Sequence, residues 1–148
     1  MNAQKLIGVL GGMGPAASAN LYSKIISYAQ TEYGAVQDFD YPPVIIYSLP
    51  LAGFDETGIT DLEAVQRQLV AGVKKLEDAG CQLIIIGCNT VHSYYDEMQA
   101  AVNVPIFNIL EETKKQVLEF GYKKVGLFAS KSTTDLKLYQ IQVEEVFH

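Results

Sequence analysis

The chain has 148 residues, of which 49% are hydrophobic and 19% are charged, a composition typical of one globular domain with a real core. Its 11 basic and 17 acidic residues give a formal net charge of −6, and no Lys/Arg cluster could neutralise a run of phosphates. We therefore expect no nucleic-acid partner. No apolar run approaches the roughly 20 residues that span a bilayer, and the N-terminus lacks a signal peptide, so we expect no membrane partner and a cytoplasmic location.

Apolar runs alternate with amphipathic stretches along the whole chain. This alternation predicts an α/β fold, an open parallel sheet with helices on both faces. The predicted strands are 5–10, 43–49, 82–87, 104–109 and 124–129. Each is nearly all apolar, as expected for strands that are covered on both sides.

The first predicted helix begins at Pro15, a residue that suits a first helical position, and places Ala17, Leu21, Ile25 and Tyr28 on one inward stripe. Further helices are predicted at 90–101, 111–120 and 133–147. The helix at 111–120 is closed by a glycine. The last helix would turn its apolar positions inward, namely Leu136, Tyr139, Val143 and Val146.

The second predicted helix has clear signals at both ends. Thr60 and Glu63 form a candidate capping box at its start, and Gly80 suits its end. Its inward positions are Leu62, Val65, Leu69, Val73 and Leu76.

Loops with chemically useful residues follow four of the predicted strands. They are GGMGP after the first strand, SLPLAGF after the second, GCNT after the third and SKSTT after the fifth. Ligands of open α/β sheets bind outside the carboxyl ends of the strands. We therefore expect the functional site at this edge of the sheet.

The glycine-rich loop GGMGP lets the backbone approach a bound anion at the start of a helix. It lacks the full G-x-G-x-x-G pattern, and the second strand ends in Ser48 rather than in an acidic residue, so we do not favour nucleotide binding. A tight turn that serves only the topology remains the alternative.

Cys88 is the most informative residue of the chain. The strand that separates it from Cys81 would hold the two thiols about 23 Å apart, at roughly 3.3 Å per residue, which rules out a disulfide between them. We interpret both as reduced thiols, Cys81 as a structural one. If Asn89 or Thr90 opens the next helix, Cys88 lies at its positive end, where thiolate is favoured and the thiol can act as a base or a nucleophile. Both neighbours add donors that could hold a carboxylate.

His92 lies four residues after the cysteine, so it could share a helical face with it. A nucleophilic Cys/His pair is one interpretation, and a histidine that packs the helix is the favoured one. We expect no metal site, because the sequence has no Cys/His set with ligand spacing.

Four segments of the chain resemble, in their order and spacing, the aspartate/glutamate racemase family of cofactor-independent amino-acid racemases. They are IGVLGGMGPAAS, GCNTVH, VPIFNILEET and KKVGLFASKSTTDLKLYQ. The resemblance implies two facing lobes of flavodoxin-like fold, a homodimer, no cofactor, and two cysteines, one per lobe, that move the α-proton of an acidic amino acid from opposite sides. It implies that Cys88 is one acid/base, that Asn89 and Thr90 hold the α-carboxylate, and that other residues line the pocket, namely Met13, Gly14, Ser48 and Thr133.

The resemblance also predicts that the second lobe is truncated. Residues 1–110 would form the first lobe, and 111–148 a connecting helix with the opening strand and helix of the second. The family's second cysteine stands in a GCTE-like motif, which this chain does not reach before His148. Cys81 cannot replace it from the far end of its strand.

A second departure concerns the substrate. Many aspartate racemases carry an arginine in a PDR-like segment after the second strand, where this chain has AGFDE, so acidic specificity stays open. The alternatives to a racemase are a one-cysteine decarboxylase or isomerase relative and a non-catalytic domain that binds carboxylates.

Overall fold

The computed structural model of the chain describes residues 4–55, 58–122 and 124–139. Its elements are, in chain order, β1 (Ile7–Gly11), α1 (Pro15–Tyr33), β2 (Val44–Ser48), β3 (Phe54–Asp55), β4 (Gly58–Ile59), α2 (Leu62–Asp78), β5 (Leu83–Ile86), α3 (Tyr95–Ala100), β6 (Ile106–Phe107), α4 (Ile109–Glu119) and α5 (Lys131–Asp135). Short 3-10 helices lie at Asp38–Asp40 and Thr90–Tyr94. Among the described residues, no helix is long and apolar enough to cross a membrane.

Four parallel strands form the central sheet in the order β2-β1-β5-β6. In the register of the strands, Gly11 is opposite Ser48, and Leu10 is opposite Ile86. The carboxyl ends of β1, β2 and β5 therefore meet at one edge. The predicted α/β class and the first four predicted strands are confirmed, and β3 and β4 add a small antiparallel hairpin beyond that edge.

One face of the sheet is covered by α2 and α3. Leu10, Ile84 and Ile86 alternate along β1 and β5 onto this face, and each is at most 2% exposed. The helix α2 lies close to β1, since a Cβ atom added at Gly72 would stand 2.9 Å from Leu10 Cδ1. Cys81, which is buried with this core, has the structural position that the sequence predicted.

The other face of the sheet is covered in part by α1, which contacts β1 and β2. A groove of about 1620 Å³ lies on this face. The strand residues of this face that line the groove are Ile7, Leu83, Ile85 and Phe107. The predicted stripe of α1 forms part of the groove through Leu21, Ile25 and Tyr28, yet the Tyr28 side chain is 58% exposed. Pro15 is the first residue of α1, as predicted. The groove runs from the sheet face to Cys88 and Asn89.

The start of α2 differs from the prediction by one residue. Asp61 is the N-cap, and its carboxylate accepts the Ala64 N–H at 2.9 Å, so the predicted pair of Thr60 and Glu63 is wrong as a capping box. A carboxylate competes well with a hydroxyl for this position. Leu62, predicted to face inward, is 64% exposed because it is the first residue of the helix.

The fifth predicted strand is wrong. Residues 124–130 have no strand and are exposed throughout, and Phe128 is fully exposed. A strand exists only through hydrogen bonds to a neighbour, and no neighbour for this segment lies among the described residues. The last helix is predicted at 133–147. The structure has α5 at Lys131–Asp135 in this region, and residues 140–147 lie outside the described residues. The division of the chain at residue 110 stays a prediction.

Candidate active site

Cys88 lies in the turn directly after β5. The Gly87 N–H donates to the Leu10 carbonyl at 3.1 Å, which fixes the turn against β1. Cys88 is free and partly buried at the end of the groove. Burial raises the pKa of its thiol above the ordinary value, and the backbone N–H groups of Val91 and Thr90, which hydrogen-bond the sulfur, offset this only in part. The expectation that the thiolate is favoured in the free protein is therefore wrong, because burial outweighs the N–H groups.

The helix after Cys88 is shorter and tighter than predicted. Residues Thr90–Tyr94 form a 3-10 helix, and only Tyr95–Ala100 are α-helical. The aligned peptide dipoles behind Cys88 are therefore fewer than in a regular helix over 90–101.

His92 is buried and bonded to the backbone through both ring nitrogens. Nδ1 lies 2.8 Å from the Cys88 carbonyl, and the Ile109 N–H donates to Nε2 at 3.3 Å. Since Nε2 accepts, the ring proton resides on Nδ1, which donates to Cys88. Burial lowers the pKa of His92 and favours this neutral form. The ring thus positions the backbone of Cys88, in line with the favoured interpretation that it packs the helix.

A buried chain of hydroxyl groups joins the Cys88 turn to the C-terminal segment. Thr90 Oγ1 lies 3.1 Å from Thr133 Oγ1, and Thr133 Oγ1 lies 3.1 Å from Ser130 Oγ. Thr90 is 5% exposed and Thr133 is 2% exposed. Ser130 also caps α5 by accepting the Thr133 N–H. The structure thus brings together two predicted site residues that are 43 positions apart in the sequence.

Asn89 is exposed at the end of the groove and is bonded to the same segment. The hydroxyl of Tyr139 donates to Asn89 Oδ1 at 2.8 Å. Tyr139 was expected only to face inward on a helix, and no local pattern indicates a contact across 50 residues.

The glycine-rich loop closes the site on the side of β1. Gly12 has φ +93, and a Cβ atom there would stand 2.3 Å from the Leu49 carbonyl oxygen, so the turn requires glycine. The Gly12 N–H donates to Ser18 Oγ at 2.9 Å, and Ser18 Oγ donates to the Gly14 carbonyl at 3.2 Å. Sequence reasoning missed Ser18, although a serine four residues after Gly14 can bond back within the first helical turn.

The remaining predicted residues have different settings. Met13 is 8% exposed and belongs to the hydrophobic core, so the expectation that it lines an open pocket is not met by its side chain. Gly14 is exposed at the N-cap of α1, and Ser48 is exposed at the end of β2. Within the described ranges, no group of three or more His, Cys, Asp or Glu residues could hold a metal ion.

A parallel sheet with a cysteine, an amide and hydroxyl groups at its carboxyl edge defines an α/β protein that is equipped to bind a small polar molecule there. The chain belongs to the Asp/Glu/hydantoin racemase family, whose profile matches residues 10–146. It is 38% identical over 135 residues to the broad specificity amino-acid racemase RacX of Bacillus subtilis. It is 29% identical over 90 residues to the glutamate racemase of Aquifex pyrophilus.

Solved structures of similar fold include an aspartate racemase and an aspartate racemase homologue. An aspartate racemase homologue from Pyrococcus horikoshii OT3 matches 96% of this chain with a TM-score of 0.80 and 32% identity. The aspartate racemase of Picrophilus torridus matches 97% with a TM-score of 0.83 and 25% identity. The chain covers 59% of RacX, 61% of the Pyrococcus chain and 60% of the Picrophilus chain.

Proposed function

We propose that this chain carries one of the two acid/base groups of an amino-acid racemase, and that Cys88 is this group. The position of Cys88 supports the proposal most strongly. It combines a partly buried thiol, hydrogen-bonded by two backbone N–H groups, with the amide of Asn89 and an open groove. Family membership and the relatives that are amino-acid racemases support the reaction class.

The reaction is a proton transfer that needs no other reactant. The Cys88 thiolate removes the α-proton, which leaves its electron pair on the α-carbon and gives a neutral thiol. Return of a proton to the opposite face of the carbanion inverts the configuration. Because burial raises the pKa of Cys88, the resting group is a thiol, suited to donate a proton, and the thiolate is the stronger base once it forms. We propose that no cofactor takes part.

The substrate carboxylate would be held by donors next to Cys88. In this proposal the Asn89 amide and the Thr90 hydroxyl bind the α-carboxylate, and Thr133 supports Thr90 through the contact of 3.1 Å between their hydroxyl oxygens. The backbone of Met13 and Gly14 and the hydroxyl of Ser48 line the opposite side. Negative charge that develops on the carboxylate during proton removal is stabilised by such donors.

We propose a substrate range that is wider than the acidic amino acids. The loop PLAGFDE after β2 contains no arginine or lysine that could pair with a side-chain carboxylate. The similar RacX is a racemase of broad specificity. Free thiols at both cysteines favour a reducing compartment such as the cytoplasm, and a homodimer is the assembly that the family resemblance implies.

Proton exchange tests the role of Cys88 separately from inversion. Inversion requires a second acid on the opposite face, so the 148-residue chain should not interconvert enantiomers at a useful rate. It should instead exchange the α-proton of one enantiomer with deuterium while it retains configuration. The D and L forms of aspartate, glutamate and alanine are incubated separately in D₂O and followed by NMR and chiral chromatography.

Matched variants make the result specific. Cys88→Ala should abolish exchange, and Cys81→Ala, which changes a buried thiol away from the site, should retain it. Exchange that persists in Cys88→Ala would remove the proposed role of this thiol. Rapid interconversion of enantiomers by the wild-type chain would reveal a second acid within the 148 residues.

A further inference from the structure

Tyr139 reaches the candidate site from a segment that sequence motifs do not connect to it. Its hydroxyl donates to Asn89 Oδ1 at 2.8 Å, and its side chain is partly buried. The phenol therefore contacts a residue that we propose to bind substrate, without itself belonging to the group of proposed substrate ligands.

In the structure, the Tyr139 hydroxyl occupies the oxygen end of the Asn89 amide, which leaves the NH₂ end free. An asparagine side chain presents an acceptor oxygen on one side and a donor NH₂ group on the other. With Oδ1 held by Tyr139, the Nδ2 protons are available on the opposite side of the planar amide. A carboxylate is attracted by these protons, and it would be repelled by the oxygen if the amide were reversed.

The adjoining backbone does not fix this orientation. Asn89 is the N-cap residue of the 3-10 helix, yet its side chain makes no capping hydrogen bond. It is also exposed, so neighbouring side chains do not enclose it. Since oxygen and NH₂ are almost equal in size, an amide released from Tyr139 would be free to occupy both orientations.

We infer that Tyr139 is a positioning residue that holds the Asn89 amide with its donor side toward the substrate carboxylate. The consequence for affinity rests on the proposed function. If release lets the amide adopt two orientations about equally, only half of the molecules are competent, and the apparent dissociation constant rises about twofold. Loss of the ordering of Asn89 adds to this, so we expect weakening of about two- to tenfold in Tyr139→Phe.

The experiment measures the amide and the affinity separately in the full 148-residue chain. The Asn89 side-chain NH₂ signals are identified in a ¹⁵N-labelled sample by their absence in Asn89→Asp. These signals are compared in the wild type, in Tyr139→Phe and in Tyr122→Phe, an exposed tyrosine outside the site that serves as the matched control. D- and L-aspartate are then titrated into each variant, and thermal unfolding is recorded to check that the fold is intact.

In the free protein, the Asn89 signals should shift in Tyr139→Phe and remain unchanged in Tyr122→Phe. Aspartate should bind Tyr139→Phe more weakly by the stated factor. In an Asn89→Asp background, Tyr139→Phe should change the dissociation constant less than the twofold step expected for two amide orientations, because no amide donor is left to orient.

The outcomes separate this inference from the proposed function. Equal affinity in the wild type and Tyr139→Phe would overturn the positioning role and leave the proposed function standing. Asn89 signals that do not respond to Tyr139→Phe would also overturn the role. If the wild type binds neither enantiomer while the Asn89 signals do respond, aspartate is excluded as a substrate and the orienting contact is supported.

Discussion

On one face of the sheet, α2 and α3 cover Leu10, Ile84 and Ile86 so completely that these side chains are at most 2% exposed. On the other face α1 covers only part of the sheet, and Ile46 and Phe107 remain 40% and 48% exposed. Burial of apolar surface is the main source of stability in such a fold. The two faces of one sheet therefore contribute unequally to the free energy of unfolding.

The difference between the faces also separates stability from function. Cys81 lies in the closely packed core, whereas Cys88 lies at the end of the open groove. The open face thus leads to the proposed catalytic thiol, and substitutions there should affect binding and association more than folding. The predictions below test this separation.

The largest effect is expected from truncating equivalent leucines on the two faces. Leu69→Ala, on the α2 face, should lower the free energy of unfolding by about 3–5 kcal/mol, because the fully buried side chain leaves a cavity. Leu21→Ala, in α1, should cost only about 1 kcal/mol, because its site is partly open already. Urea unfolding of both variants measures the difference. Equal losses would show that the open groove does not reflect weaker packing.

The two thiols should differ in reactivity because they differ in exposure. Cys88 is partly exposed and Cys81 is 2% exposed, so iodoacetamide should label Cys88 about 10- to 100-fold faster. Burial raises the pKa of both thiols, and labelling of each should accelerate only above the pH at which a free cysteine reacts, about 8.5. Peptide mass spectrometry across pH gives both rates. Faster labelling of Cys81 would contradict the assignment, and Cys81→Ser should leave the Cys88 rate unchanged.

His92 should make stability depend on pH in a defined direction. Because its folded pKa lies below the ordinary value of about 6.5, the unfolded chain takes up the proton first. The contribution of neutral His92 to the free energy of unfolding is therefore complete above about pH 6.5 and is lost as the pH falls below that value. Between pH 7 and pH 5 the free energy of unfolding should therefore fall further in the wild type than in His92→Gln.

Urea unfolding at both pH values measures the His92 effect. The other histidine, His148, is present in both proteins and cancels in the comparison. An identical pH slope in the two proteins would contradict the buried neutral histidine.

The smallest effect on stability is expected from a charge on the open face. Phe107→Lys should change the free energy of unfolding by no more than about 0.5 kcal/mol, since the side chain is 48% exposed. It should nevertheless weaken the self-association that an uncovered apolar face promotes. Val36→Lys, at a position 74% exposed that does not line the groove, is the matched control. Sedimentation over a range of concentrations tests this, and a wild type that stays monomeric would contradict it.

Much of the fold follows from the sequence because the apolar runs are long and the turns are well marked. The start of α1 at Pro15 and the placement of Cys88 at the carboxyl edge need only local patterns. Thr60 and Asp61 are both acceptable caps, and the choice between them depends on the path of the loop before α2. The exposed run ending near Phe128 has the composition of a strand, but composition does not supply a hydrogen-bonding neighbour.

The position of the candidate site residues follows from the sequence more readily than their chemistry. Cys88, Asn89 and Thr90 lie at the carboxyl edge because they directly follow a strand, which is local information, and their role stays a prediction. The pKa of Cys88 depends on how many atoms surround the sulfur, which is a property of tertiary structure. Tyr139 contacts Asn89 across 50 residues, and no sequence period encodes such a distance.

The contact between Thr90 and Thr133 couples the docking of α5 to the ordering of Thr90 at the candidate site. The hydroxyl chain closes a loop of 43 residues, and its hydrogen bonds exist only when α5 is docked. A ligand that favours the ordered Thr90 therefore favours docked α5 by the same free energy, and docking of α5 raises affinity for that ligand equally. By the same linkage, any local unfolding that undocks α5 lowers the affinity of the site for such a ligand.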